Sequence, residues 1–410
     1  MTAPDAQGVS PRNAAENLRR RLQADLANLE SNSLRRELRA LPSAGKRVLW
    51  RGKTMLNLAG NDYLALADHP HLKAAAKQAI EQHGVGSGAS RLVAGHLDIH
   101  EQTEASFAAF KHAEAALIFP TGYTANLAVL TALPQPGDLI CQDKLNHASL
   151  IDAAKYSAAE VRTYPHSHGP PDHRKLARLL ERHLAESPEA TRWIVTDSVF
   201  SMDGDTADLP GLCELAQRYD ALVVIDEAHG TGVLGETGSG LAEQLGVSEH
   251  ILITISTASK AMGSLGGIVT GDRAVIETLI NRARPLIYST AVPPAQAASI
   301  GAAMQVIADE PDLRLRLHEL SQALRDRLSE LGWPSLQQAI PTPIVPLMTG
   351  EIDAALALQQ RLEQHGVLAV AIRPPTVAPG QTRVRLSLRA DLTDEDLAAV
   401  VAAVGPSMHY

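Results

Sequence analysis

The chain has 410 residues, which at roughly 100 to 200 residues per domain makes room for two or three domains. Its 37 Lys and Arg against 46 Asp and Glu leave a net charge of −9, which argues against nucleic acid or an anionic membrane as the main partner. With 45% apolar residues it can build a large core, and its few aromatics speak against a platform for stacked RNA bases. The two cysteines, Cys141 and Cys213, form no CxxC spacing, so neither a disulfide scaffold nor a zinc site is expected, and no metal. The first 13 residues hold no apolar signal-like segment and no run of about 18 apolar residues occurs anywhere, so a soluble cytoplasmic protein is the expectation.

In chain order, Leu18, Leu22, Leu26 and Leu29 recur at helical spacing and predict an amphipathic helix over 12–40, with Arg19, Arg20 and Arg21 on its solvated face. A strand pair over 48–58 follows, then a loop headed by Asn61-Asp62-Tyr63. From 101 to 270, helical segments alternate with short β-rich runs at 115–119, 138–142, 161–164, 192–197, 221–226, 251–256 and 266–270. Continuously apolar runs such as Ala221-Leu222-Val223-Val224-Ile225, separated by helices, indicate a mostly parallel sheet covered on both faces. Past Pro293-Pro294 the pattern changes to two helices, the second carrying Leu317, Leu320, Leu324, Leu328 and Leu331. A strand over 342–347, a helix over 353–365, strands over 370–373 and 383–388, and a last helix opened by Thr393 and Asp396 complete it. The expected division is an N-terminal helix and extended arm (1–60), a large α/β domain (61–294) and a smaller α+β domain (295–410).

In an open parallel sheet, ligands bind beyond the carboxyl ends of the strands. The run 221–226 leads straight into Asp226-Glu227-Ala228-His229-Gly230-Thr231-Gly232, placing an acid and an imidazole three positions apart at that edge. Taken alone, the acid could simply cap the next turn. One crossover later, 251–256 ends in Thr257-Ala258-Ser259-Lys260-Ala261-Met262-Gly263, where desolvation would lower the ammonium's pKa and make it a nucleophile. Upstream, 115–119 passes through Pro120-Thr121-Gly122-Tyr123 into a helix whose start can receive a phosphate, although such turns are common without a ligand. The run Gly84-Val85-Gly86-Ser87-Gly88 follows a helical stretch, not a strand, which counts against a dinucleotide fingerprint. A phosphate anchor, an acid to protonate a pyridine nitrogen and a lysine to form an imine are together what pyridoxal phosphate requires.

From about residue 40 to 388 the sequence resembles fold-type-I pyridoxal-phosphate transferases, and among them the α-oxoamine synthases, which join an amino acid to an acyl thioester and release CO2. The resemblance rests on Asn61-Asp62-Tyr63-Leu64, on the segments 86–95 and 197–205, on Asn146-His147-Ala148-Ser149, and on 226–232 and 257–263. It implies a large domain with a mostly parallel seven-stranded sheet, a smaller C-terminal α+β domain and a homodimer. Leu286-Ile287-Tyr288-Ser289-Thr290, Ser90-Arg91-Leu92-Val93 and 372–377 are most similar to a branch of the family in biotin synthesis, which uses L-alanine and pimeloyl-CoA or pimeloyl-[acyl carrier protein]. Ala89, where Gly is frequent, and Ser239, where Gly-Arg-Gly is common, depart from the pattern. Relatives using glycine or serine, an aminotransferase, and a non-catalytic scaffold subunit are the competing readings.

By this resemblance Lys260 forms the imine with the cofactor and later acts as the base, Asp226 bonds the pyridine nitrogen, and His147 stacks on the ring and borders the substrate. His229 and Ser201 are implied for the phenolic oxygen, and Thr257 with the Gly122 and Tyr123 backbone for the phosphate, joined by Ser289 and Thr290 of a second subunit. Arg385, with Asn61 beside it, matches the position that holds the amino acid's carboxylate, and Arg35 and Thr376 match positions that contact the acyl substrate.

Overall fold

The computed structural model describes residues 11–38, 40–334 and 338–407, so the opening segment of the predicted arm lies outside the described residues. Thirteen strands occur among them: β1 Arg47–Trp50, β2 Lys53–Asn57, β3 Ala115–Phe119, β4 Leu139–Asp143, β5 Glu160–Tyr164, β6 Arg192–Asp197, β7 Ala221–Asp226, β8 Ile253–Thr257, β9 Gly267–Gly271, β10 Ile344–Gly350, β11 Val367–Leu368, β12 Val370–Ile372 and β13 Thr382–Ser387.

Seven strands form the central sheet in the order β3-β9-β8-β7-β6-β4-β5, all parallel except β9, which runs against both β3 and β8. Helices cover both faces, and the alternation along β7 shows why its run reads as uniformly apolar: Val223 and Ile225 pack into one layer and Val224 into the other. A close approach fixes the edge near β3. A Cβ on Gly267 would lie 2.3 Å from the Thr121 carbonyl oxygen, so only glycine lets β9 pass beside the turn that opens the helix Gly122–Ala132.

The C-terminal part builds a second sheet, β10-β13-β12, against the helices Asp312–Glu330 and Ile352–Gln364, on which the helix Asp394–Val404 packs in turn. The two-residue β11 is too short to leave a periodic signature. It pairs in parallel with β2, so the β1–β2 hairpin joins the C-terminal part in one sheet.

The first helix runs Pro11–Ser31 and stops short of the predicted end at residue 40. The break falls at Asn32-Ser33, where the Asn32 amide turns back to the Asn28 carbonyl at 2.8 Å and Ser33 takes a φ of +55°. Short polar side chains that bond their own backbone offer the chain an alternative to helix. Leu18, Leu22, Leu26 and Leu29 are 40–48% exposed, so this apolar stripe has no cover among the described residues. Among the described residues, no helix is long and apolar enough to cross a membrane.

Candidate active site

The carboxyl ends of β3, β6, β7 and β8 meet on one edge of the sheet, and each delivers one chemical element. At β7 the buried Asp226 accepts from the Ala228 amide through Oδ1 at 2.8 Å and from Asn126 Nδ2 through Oδ2 at 2.7 Å. Each oxygen keeps lone-pair capacity for a further donor. Asn126 also donates to Ser149 Oγ at 2.7 Å, and Ser149 Oγ lies 2.6 Å from His147 Nδ1. That chain links the acid to the imidazole of His147, which is exposed. The backbone of His147 is fixed by Asp197 at the end of β6, which accepts its amide at 2.6 Å. Burial, with Asp226 nearby, raises the Asp197 carboxyl well above the usual carboxylate range.

Lys260 lies on the hairpin between β8 and β9, held by the Ala258 amide to Gly266 at 2.9 Å and the Gly263 amide to the Lys260 carbonyl at 2.9 Å. Burial pushes its amine below the ordinary lysine range. Asp226 and Asp197 pull it back up, and the Arg385 charge adds to the lowering.

His229 is buried, and its Nδ1 is 2.7 Å from the hydroxyl of Tyr63, which is fully enclosed. Burial, then the charges of Lys260 and Arg385, keep His229 well below its usual pKa, while burial pushes the Tyr63 hydroxyl up. Tyr63 therefore keeps its proton, and its hydroxyl lies between His229 Nδ1 at 2.7 Å and Asn61 Oδ1 at 3.3 Å, fixing the ring of a neutral imidazole beside the residue that Arg385 holds. The turn itself is shaped around Glu227, which accepts from Ser198 Oγ at 2.8 Å and from the Ala242 amide at 3.0 Å. A Cβ on Gly230 would fall 1.9 Å from a Glu227 oxygen, so a larger residue there would have to displace that buried, doubly bonded carboxylate.

At β3, Thr121 caps the helix Gly122–Ala132 by accepting the Thr124 amide at 3.1 Å. The Gly122 and Tyr123 amides are left at the positive helix end. Thr257 packs against that end, its Oγ1 2.9 Å from Ser259 Oγ.

From the second sheet, Arg385 donates to the Ser201 carbonyl at 2.8 Å and to Asn61 Oδ1 at 2.7 Å. Among the described residues no carboxylate pairs with it. Its strand neighbour Arg383, by contrast, is buried and ion-paired with Asp203.

The remaining predicted positions are not in this cluster. Thr290 bridges to Ser90, with Ser289 half-buried next to it, and neither bonds the Thr257 or Lys260 region among the described residues. Arg35 pairs with Glu30, and it is Arg36 that donates to Thr376 Oγ1, at 2.9 Å. Asn126, Tyr63, Ser149 and Asp197 hold the site together but were given no role by sequence. Their signal is a polar residue at a position that its neighbours make apolar, as with Asn126 between Ala125 and the Ala128-Val129-Leu130 run.

This donor set fits pyridoxal phosphate: a depressed lysine amine, a fixed carboxylate with spare lone pairs, and free helix-start amides beside two hydroxyls. The family described as Aminotransferase class I and II matches residues 53–404, and the chain belongs to that family. Within it the chain groups with the 8-amino-7-oxononanoate synthases, enzymes of the pyridoxal-phosphate-dependent acyltransferase type. The synthase of Geobacter sulfurreducens is 44% identical over 390 residues, covering 94% of this chain and 97% of its own. That of Thermoanaerobacter pseudethanolicus is 41% identical over 383 residues, covering 93% and 95%. Among solved structures, serine palmitoyltransferase of Sphingomonas wittichii matches with a TM-score of 0.86 at 27% identity, over 95% of this chain and 96% of that chain. The 8-amino-7-oxononanoate synthase of Francisella tularensis matches with a TM-score of 0.71 at 27% identity, over 85% and 96%.

Proposed function

We propose that this enzyme condenses L-alanine with a pimeloyl thioester, carried on coenzyme A or acyl carrier protein, to give 8-amino-7-oxononanoate, CO2 and the free thiol for biotin synthesis. The observation that carries the amino-acid half is Arg385, a guanidinium with neutral partners only and no ion pair among the described residues. An α-carboxylate supplies the missing charge, and the planar fork grips it in one orientation. Pyridoxal phosphate, when bound, supplies an aldehyde for the amino group and a protonated ring that takes up the electron pair left on the α-carbon. Asp226, anchored by Asn126 and Ala228, keeps that ring nitrogen protonated. His229 and Ser201 would serve the phenolic oxygen, His147 the ring face, and Thr257 with the Gly122 and Tyr123 amides would hold the phosphate. Lys260, once displaced, is a neutral amine more often than an ordinary lysine and removes the α-proton.

Arg35 and Thr376 contribute to acyl recognition in this reading, from a segment where Arg36 and Thr376 are already bonded. Ser289 and Thr290, outside the Lys260 cluster, serve the site of a second subunit in a homodimer, a reading supported by the uncovered leucine stripe of the first helix.

The test is thiol release with L-alanine, glycine or L-serine as co-substrate and pimeloyl-CoA or pimeloyl-[acyl carrier protein] as donor. Preference for glycine or serine removes the alanine assignment, and accumulation of the amine form of the cofactor favours transamination. Lys260→Ala should lower the rate by more than about a hundredfold and abolish the visible cofactor band.

A further inference from the structure

Away from the Lys260 cluster, the segment that follows β5 brings two imidazoles onto one carboxylate. His166 Nε2 stands 2.9 Å and His168 Nδ1 3.3 Å from the same Asp205 oxygen, Oδ2. One ligand atom from each of the three lies within 4.8 Å of the others. Donors held about 2.0 to 2.1 Å from a tetrahedral zinc-type ion stand roughly 3.3 Å apart, and the two imidazole–carboxylate distances lie near that value. The other Asp205 oxygen, Oδ1, is buried and bonds to nothing among the described residues.

Two further features are those of a metal site. Behind the ligands, His166 Nδ1 is 3.2 Å from both oxygens of Asp143, the carboxylate–histidine arrangement that fixes the tautomer and raises the basicity of a ligating imidazole. The Phe200 ring stacks edge-on at 4.2 Å between centroids and holds the His166 plane. The His168 side chain is 59% exposed, so the solvent side offers a route of entry and room for water in the fourth position.

We propose that His166 Nε2, His168 Nδ1 and Asp205 bind one divalent transition-metal ion of the zinc class, tying the segment after β5 to the loop that carries Ser201. The ion replaces the proton that bridges His166 Nε2 and Asp205, and that proton leaves to solvent. The role is structural, because the ion would join two loops at the surface, away from the Lys260 cluster.

The experiment titrates chelator-stripped, cofactor-loaded enzyme with cobalt(II) and reads the visible d–d bands, which lie to the red of the cofactor's absorption. One equivalent per chain, displaced by zinc, is expected, together with a rise in Tm on adding zinc. His168→Ala removes an exposed ligand without disturbing the core, so it should keep the metal-free Tm and weaken cobalt binding at least about tenfold. His173→Ala is the control, since its imidazole pairs with Asp208 at 2.9 Å. No bands with wild type, bands of equal affinity in His168→Ala, or equal losses in both variants would each overturn the proposal.

Discussion

Arg383 and Arg385 lie two positions apart on one face of β13, yet their surroundings make them chemical opposites. Arg383 is buried against Asp203, whereas Arg385 faces only neutral oxygens. Arg385→Ala should raise the KM for the amino acid about ten- to a hundredfold, leaving the thioester KM and Tm near wild type. Arg383→Ala should instead strand Asp203 and lower stability by about 3 kcal/mol in urea unfolding, with little change in amino-acid KM. The reverse pattern would move the carboxylate site to Arg383. At Asp226, both oxygens accept from N–H donors, so Asp226→Asn turns one acceptor into a donor facing a donor. That variant should still bind cofactor but exchange the alanine α-proton at least about a hundredfold more slowly, as followed by NMR in deuterium oxide.

At the scale of elements, the helix Asp394–Val404 is tied to the N-terminal hairpin by one carboxylate. Asp396 accepts from Lys46 at 3.2 Å, Arg47 at 2.6 Å and the Thr393 amide at 3.1 Å, while Thr393 Oγ1 caps the Asp396 amide. Burial opposes charge on Asp396, but the Thr393 amide and the two cations outweigh it and hold the carboxyl below its usual value near 3.8. Its contribution is therefore present above about pH 3.8 and is lost as pH falls through the folded value. Asp396→Asn should cost about 1.5 to 3 kcal/mol at neutral pH, and the gap from wild type in urea midpoints should close on acidification. Thr393→Ala should cost about 1 kcal/mol at either pH. The same elements tell how far sequence reaches. All seven strands of the large sheet were legible to within two residues: the inner strands because burial on both faces makes them largely apolar, and the exposed, mostly polar edge strand Glu160–Tyr164 from its β-branched and aromatic residues between turns. The overrun of the first helix came from extending a leucine period past Asn32-Ser33, where local side-chain bonding wins. The motif order pointed to Lys260, Asp226 and His229, but no periodicity reveals that Asn126 and Tyr63 are what hold the last two in place.

For the whole molecule, the proposed homodimer is tested at the uncovered face of the helix Pro11–Ser31. Four leucines at 40–48% exposure along one stripe have nothing to gain in water. Sedimentation equilibrium should give the mass of two chains, and the double variant Leu22→Glu with Leu26→Glu should shift it toward one. A wild-type mass of one chain, or an unchanged dimer in the variant, would leave the stripe unexplained by self-association.

The pairing of β2 with β11 sets an order of events during synthesis. The β1–β2 hairpin leaves the ribosome early, but the strand that completes its sheet follows about 310 residues later, roughly 15 to 60 s at ordinary elongation rates. Throughout that interval the Leu56 and Leu58 amides, which finally bond Gly366 and Leu368 at 2.8 and 2.9 Å, face water on an open strand edge. The hairpin is thus exposed to wrong pairing throughout that interval, and the segment between can fold before β2 and β11 are joined.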